Sequence, residues 1–154
     1  MPDKTFRGMI AEALSNIKEV DIDQAEKLMA QGYRILDVRE PGEYLNGSIK
    51  GALNVPRGLL EAAADIDFEG ANPALRDGRS DNWLVFCQTG GRSALATQTL
   101  QQMGFSSVTN VHGGFSSWSQ AGKHIDHIKP LRAGGKSTPG NTRLRSPKAN
   151  MSDK

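Results

Sequence analysis

A three-layer α/β domain with a mostly parallel sheet is the fold class that this sequence predicts, on three observations. Short apolar runs suited to burial on both sheet faces occur at Arg34-Ile35-Leu36-Asp37-Val38-Arg39, at Trp83-Leu84-Val85-Phe86-Cys87 and from Val108 to Val111. Stretches with helical spacing or helix-compatible composition separate them. Glycines and prolines punctuate the joins, as they do between alternating strands and helices.

In chain order, Phe6, Met9, Ile10, Ala13, Leu14 and Ile17 stand at three- and four-residue spacings, which marks residues 1–18 as an amphipathic helix. Lys18 to Ile22 reads as a brief strand, after which Asp23 is placed to cap a helix running through Met29 and ending at Gly32. The strand from Arg34 to Arg39 is stopped by Glu40-Pro41-Gly42, and Pro41 suits the first turn of a short helix reaching Tyr44. Gly47 and Gly51 lead into Ala52-Leu53-Asn54-Val55, a second short strand closed by Pro56, and Leu59 to Ala64 is helix-compatible. From Asp65 to Asn82, acids and glycines with few large apolar residues predict a long surface connection. Trp83 to Cys87 is the central strand. The loop Gln88-Thr89-Gly90-Gly91 then leads to a helix from about Arg92 to Met103, with Leu95, Thr99 and Met103 aligned and Gly104 as its stop. After the last strand, Gly113-Gly114 opens a terminal helix whose Phe115 and Trp118 are expected to close the core.

One domain of residues 19–122 fits the length of 154 residues better than two. From Pro130 onward, repeated Pro, Gly, Lys and Arg with few apolar residues cannot repay ordering entropy, so 123–154 is expected to be a basic, disordered tail. The formal charge of +2 averages that tail, eight Lys or Arg against two acids, with a mildly acidic body of eleven against fifteen. So small a net charge argues against a nucleic-acid or membrane-surface protein, and a charge-rich terminus is ordinarily just solvated. No apolar run approaches the roughly 20 residues a bilayer crossing needs. Asp3, Lys4, Arg7 and Glu12 interrupt what would have to be a signal peptide, so cytoplasmic residence without a membrane partner is expected.

Cys87 is the one cysteine, which excludes an intramolecular disulfide framework and a metal site built on paired thiolates. An isolated cysteine at a strand end is usually a small buried hydrophobe. Here a glycine-bearing turn leads straight into a helix, so N–H groups of residues 88–93 and the positive helix end can converge on the sulfur and favour a thiolate. Arg92 adds a cation able to hold the oxygens of an anionic substrate. Asp37 and Arg39, two apart on a strand, share a face and suit a structural hydrogen bond better than proton transfer. His124 and His127 lack carboxylate or Cys companions and read as solvated, and His112 reads as a loop or packing residue, so neither metal nor cofactor is expected.

Leu36-Asp37-Val38-Arg39-Glu40 with Glu43-Tyr44, then Gly51-Ala52-Leu53-Asn54-Val55-Pro56, then Cys87-Gln88-Thr89-Gly90-Gly91-Arg92-Ser93, then Gly113-Gly114 and Trp118 resemble the successive signatures of a single rhodanese homology domain. The resemblance implies the rhodanese-like fold, a five-stranded parallel sheet between helices, and thiosulfate sulfurtransferase-like activity through a persulfide on Cys87. It assigns Gln88, Thr89, Gly90, Gly91, Arg92 and Ser93 to the active loop and Asp37 and Arg39 to its supporting floor. The family often carries His after the glycine of its Gly-His-Ile step. This chain has Ser48 after Gly47, a departure that bears on any histidine-assisted role.

The implied partners are a small-molecule sulfur donor such as thiosulfate and an external acceptor, since a single cysteine cannot release the sulfur as an internal disulfide. Cyanide in an assay, or a small or protein thiol, would serve. Two rival classes stand beside this one. Dual-specificity phosphatases of the cell cycle resemble this fold, but their loop has five residues between Cys and Arg, whereas Gln88 to Gly91 make four and a smaller cradle. A silent binding module is the other, against which the presence of both Cys87 and Arg92 argues. Oligomeric state and the physiological donor and acceptor are left open by the sequence.

Overall fold

A computed structural model describes residues 2–128. Five strands form one sheet in the order β1-β5-β4-β2-β3, with every neighbouring pair parallel. The centre is β2 (Arg34–Asp37), β4 (Asn82–Phe86) and β5 (Ser107–Val111), and the edges are β1 (Lys18–Val20) and β3 (Leu53–Asn54). Successive strand residues point to opposite faces, so an unbroken apolar run requires cover on both. On one face Leu36, Val85 and Val108 pack with Leu60, Leu75, Ala96 and Leu100. On the other, Ile35, Leu84, Phe86 and Val111 pack with Ala25 and Trp118.

The covering helices are α4 (Leu60–Ala64), α5 (Pro73–Arg76) and α6 (Gly91–Gln102) on the first face, and α2 (Ile22–Ala30) and α7 (Gly114–Gln120) on the second. A short α3 (Pro41–Leu45) follows β2, and a 3-10 turn at Arg57–Leu59 precedes α4. The N-terminal α1 (Phe6–Leu14) leans on α6, with Phe6 and Ile10 beside Gly91, and Gln101 Nε2 donates to Asn16 O at 3.1 Å. Parallel strands all have their C-terminal ends on one side of the sheet, which brings Asp37, Cys87 and His112 to the same end of the fold. Among the described residues no helix is long and apolar enough to cross a membrane.

Several expectations are corrected. The cap of α2 is Asp21, not Asp23: Asp21 Oδ1 accepts the Gln24 N–H at 2.8 Å while Gln24 Oε1 accepts the Asp21 N–H at 3.3 Å, a reciprocal box that ends β1 at Val20. Residues 65–82 are not merely a surface connection, because fully buried Leu75 anchors α5 and Arg79 donates to Ala64 O and Met103 O. The buried residues of α6 are Ser93, Ala94, Ala96, Thr97 and Leu100, with Leu95, Thr99 and Met103 half-buried beside them. Trp118 is buried as expected, and its Nε1 donates to His124 O at 2.7 Å. That bond, with the Ser48–Asp126 bridge, fastens Lys123 to Asp126 to the body, so a loose tail cannot begin at 123. The disorder expected from Pro130 onward lies outside the described residues.

Candidate active site

The sulfur of Cys87 sits one residue beyond β4, where the chain must reverse into α6. Gly90 makes the reversal as N-cap at φ 106°, a left-handed conformation that side chains with a Cβ seldom adopt. Its N–H thereby points at Cys87 Sγ from 3.1 Å, and the first turn of α6 adds the Ser93 N–H and the Ser93 hydroxyl, each at 3.4 Å. Cys87 is 1% exposed, so these donors and the positive end of α6 are its principal polar surroundings.

The carbonyl side of the same loop is gripped by α7. Phe115 N–H donates to Cys87 O and Ser116 N–H to Gln88 O, both at 2.9 Å. Gly114, at φ 57°, lies so close against Cys87 O and Gln88 O that a Cβ there would collide with both.

Beneath the loop, Asp37 at the end of β2 is fully buried and faces Arg39, 2% exposed, with Arg39 Nη2 donating to Asp37 Oδ2 at 2.8 Å. Ser48 Oγ donates to the same oxygen at 2.9 Å. Arg39 continues upward, Nη1 to Gln88 Oε1 at 3.2 Å and Nη2 to Gly47 O at 2.7 Å, and its guanidinium lies 4.3 Å from the Phe115 ring centre. Gln88 passes the chain on, donating from Nε2 to Ser116 Oγ at 3.0 Å. A buried guanidinium fully engaged in this way is a rigid strut.

Arg92 on α6 meets Glu43 on α3 in a bidentate ion pair, Nη1 to Oε1 at 2.8 Å and Nη2 to Oε2 at 3.0 Å, with both side chains about a third exposed. The Arg92 hydrogen bonds hold the Glu43 carboxyl at about 2, against burial that works the other way and with help from the Glu40 N–H. The pair uses the terminal nitrogens of Arg92 and leaves its Nε edge clear of Glu43.

Of the residues singled out in sequence, Cys87, Gly90, Ser93 and Arg92 come together around the sulfur, with Gly91 opening α6. Gln88 turns down to the Arg39 floor instead, and Thr89 is exposed. His112 is also exposed, in the turn after β5, 3.6 Å from Glu19. Sequence reasoning assigned no role to Glu43, which lies in a quoted signature, or to Ser48, which it noted as a departure from the family pattern. It assigned no role to Asn110 either; the available signal was an Asn, a residue depleted in strands, between Thr109 and Val111 in the last strand, and the structure buries it fully. Among the described residues no three His, Cys, Asp or Glu gather as a metal ion would require.

A family described as "Rhodanese-like domain" matches residues 21–121. Thiosulfate sulfurtransferase 16, chloroplastic, from Arabidopsis thaliana is 41% identical over 67% of this chain and 88% of its own length. The human thiosulfate:glutathione sulfurtransferase is 35% identical over 64% of this chain and 90% of its own. Among solved structures, a human single-domain sulfurtransferase aligns at 30% identity and TM-score 0.57 over 66% of this chain and 95% of that one. A Rhodopseudomonas palustris protein of unknown function, described as a possible tyrosine phosphatase, aligns at 33% identity and TM-score 0.74 over 82% and 99%.

Proposed function

The chain belongs to the rhodanese-like family, and from that membership we propose that it moves sulfane sulfur from thiosulfate or a similar donor to an external thiophilic acceptor through a Cys87 persulfide. The convergence of the Gly90 N–H, Ser93 N–H and Ser93 hydroxyl on Cys87 Sγ carries the reading.

In the first half-reaction the Cys87 thiolate attacks the outer sulfur of thiosulfate. A Cys87 S–S bond forms, the S–S bond of the donor breaks, and sulfite departs with the electron pair. The loop amides then face an anion carried by the sulfur chain, where fixed donors do most in a water-poor site. Arg92 offers its Nε edge to the sulfite oxygens. In the second half-reaction an acceptor thiolate, or cyanide, attacks the terminal sulfur and releases Cys87 as thiolate. The name of the human glutathione-linked relative favours a small thiol in that place.

The test is intact mass after incubation with thiosulfate: one added sulfur atom, absent in Cys87→Ser and discharged by cyanide as thiocyanate. An unchanged mass with thiosulfate and with low-molecular-weight persulfides would leave a silent binding module. A phosphatase reading is favoured by the description of the Rhodopseudomonas palustris protein. Four residues between Cys87 and Arg92 speak against it, and hydrolysis of an aryl phosphate that Cys87→Ser abolishes would establish it.

A further inference from the structure

We infer that Asn110, oriented by Glu19, is a positioning residue for the sulfur loop: its amide holds the Gly90 carbonyl and thereby keeps the Gly90 N–H on Cys87 Sγ. Asn110 stands on β5 between Glu19 of β1 and Val85 of β4 and is fully buried. Its Nδ2 donates to Glu19 Oε2 at 2.9 Å and to Gly90 O at 3.4 Å. A carboxylate and a carbonyl both demand donors, so the orientation of this amide follows from its surroundings. The consequence is that Asn110 Oδ1 is buried without a hydrogen-bond partner among the described residues.

An unpaired buried acceptor costs stability, and an apolar residue of similar size would avoid that cost. Val108, two residues earlier and on the same face of the strand, is of that kind. What Asn110 supplies in exchange is a tie from the middle of the sheet to Gly90 O, which also accepts the Ala94 N–H at 3.1 Å in the first turn of α6. The carbonyl and the N–H of Gly90 belong to successive peptide planes that meet at its Cα, so a tie on the carbonyl fixes Gly90 ψ and the placement of the residue whose left-handed backbone aims its N–H at the sulfur. The shorter contact, to Glu19, sets the direction of the amide. Glu19 precedes residue 21, where the match to the family begins, so this part of the device lies outside the matched span.

The charged groups around the loop are Arg92 on α6, Glu43 and Glu40 at α3, Asp37 at the end of β2 and Arg39 after it, and Glu19 with His112 at the β1 and β5 ends. Among the described residues Glu19 is the one of these that hydrogen-bonds Asn110, and its Oε2 also lies 3.6 Å from His112 Nδ1, so the Glu19 variants separate its charge from the tie to the loop.

The inference rests on the proposed function for its activity readout alone, because alkylation of Cys87 needs no sulfur donor. The experiment follows iodoacetamide labelling of Cys87 against pH in wild type, Asn110→Ala, Asn110→Leu, Glu19→Ala and Glu19→Gln, alongside urea denaturation. Loss of the tie is expected to move the labelling profile of both Asn110 variants to higher pH and to slow thiosulfate loading about fivefold, the scale of one hydrogen bond. Asn110→Leu removes the orphan acceptor and also the donor to Glu19, whose carboxylate is a third exposed and can turn to water, so its urea stability should stay near that of wild type. Glu19→Gln should retain most of the profile that Glu19→Ala loses. A wild-type labelling profile in a stable Asn110→Leu would overturn the inference. Shifted profiles in a protein that never takes up sulfur would sustain it while removing the sulfurtransferase reading.

Discussion

Arg92 and Glu43 are locked together beside Cys87 by two parallel hydrogen bonds of 2.8 and 3.0 Å, although 49 residues separate them in sequence. The cation expected to meet the donor is therefore already held in place by a carboxylate.

That pairing dictates how variants of Arg92 behave. Arg92→Ala removes the cation and leaves the Glu43 charge facing a dianionic donor, so kcat/KM for thiosulfate should fall roughly 10- to 100-fold, the scale of a charge-assisted hydrogen bond. Arg92→Lys should recover only part, since a point charge cannot form the two-pronged pair. The double variant Arg92→Ala/Glu43→Gln should outperform Arg92→Ala. If it is no better, electrostatic repulsion from Glu43 is not what limits the single variant.

The same pair predicts an acid dependence. The Glu43 carboxyl ionises at about 2 in the folded protein against an ordinary 4.5, so the folded state binds its proton less readily than the unfolded chain. Its contribution is present above about pH 4.5 and is lost as pH falls toward 2. Each side chain is about a third exposed, which keeps the effect modest. Melting temperature should drop more steeply below about pH 4.5 in wild type than in Glu43→Gln; parallel slopes would remove the pair from the acid response.

Asp37→Ala strands the Arg39 guanidinium and the Ser48 hydroxyl in the interior. Breaking a buried pair from one side costs roughly 3–5 kcal/mol, so urea denaturation should show a loss of that order. A loss below about 1 kcal/mol would mean that water enters and replaces the carboxylate.

Gly114→Ala tests the grip of α7. The new methyl group would meet Cys87 O and Gln88 O and would sit at a positive φ, so the loop must shift. Sulfur loading from thiosulfate should be lost even in the fraction that remains folded by circular dichroism, whereas wild-type loading would show that the carbonyl side of the loop does not need its hydrogen bonds to α7.

The strands, most helices and the Cys87 turn are legible in the chain because each is written locally. Apolar runs such as Trp83 to Phe86 report burial on two faces, and Gly90-Gly91-Arg92 after Cys87 reports a strand turning into a helix. Contacts between Arg92 and Glu43, Ser48 and Asp37, or Asn110 and Gly90 have no such record. A polar side chain does not reveal from its own position which distant group will satisfy it. Folding decides this by bringing the C-terminal ends of all five strands together, where burial makes an unpaired donor or acceptor costly and so selects partners from far along the chain. Leu75 illustrates the same division: among the polar residues of 65–82 it looks incidental, and it becomes an anchor only where α5 finds the sheet.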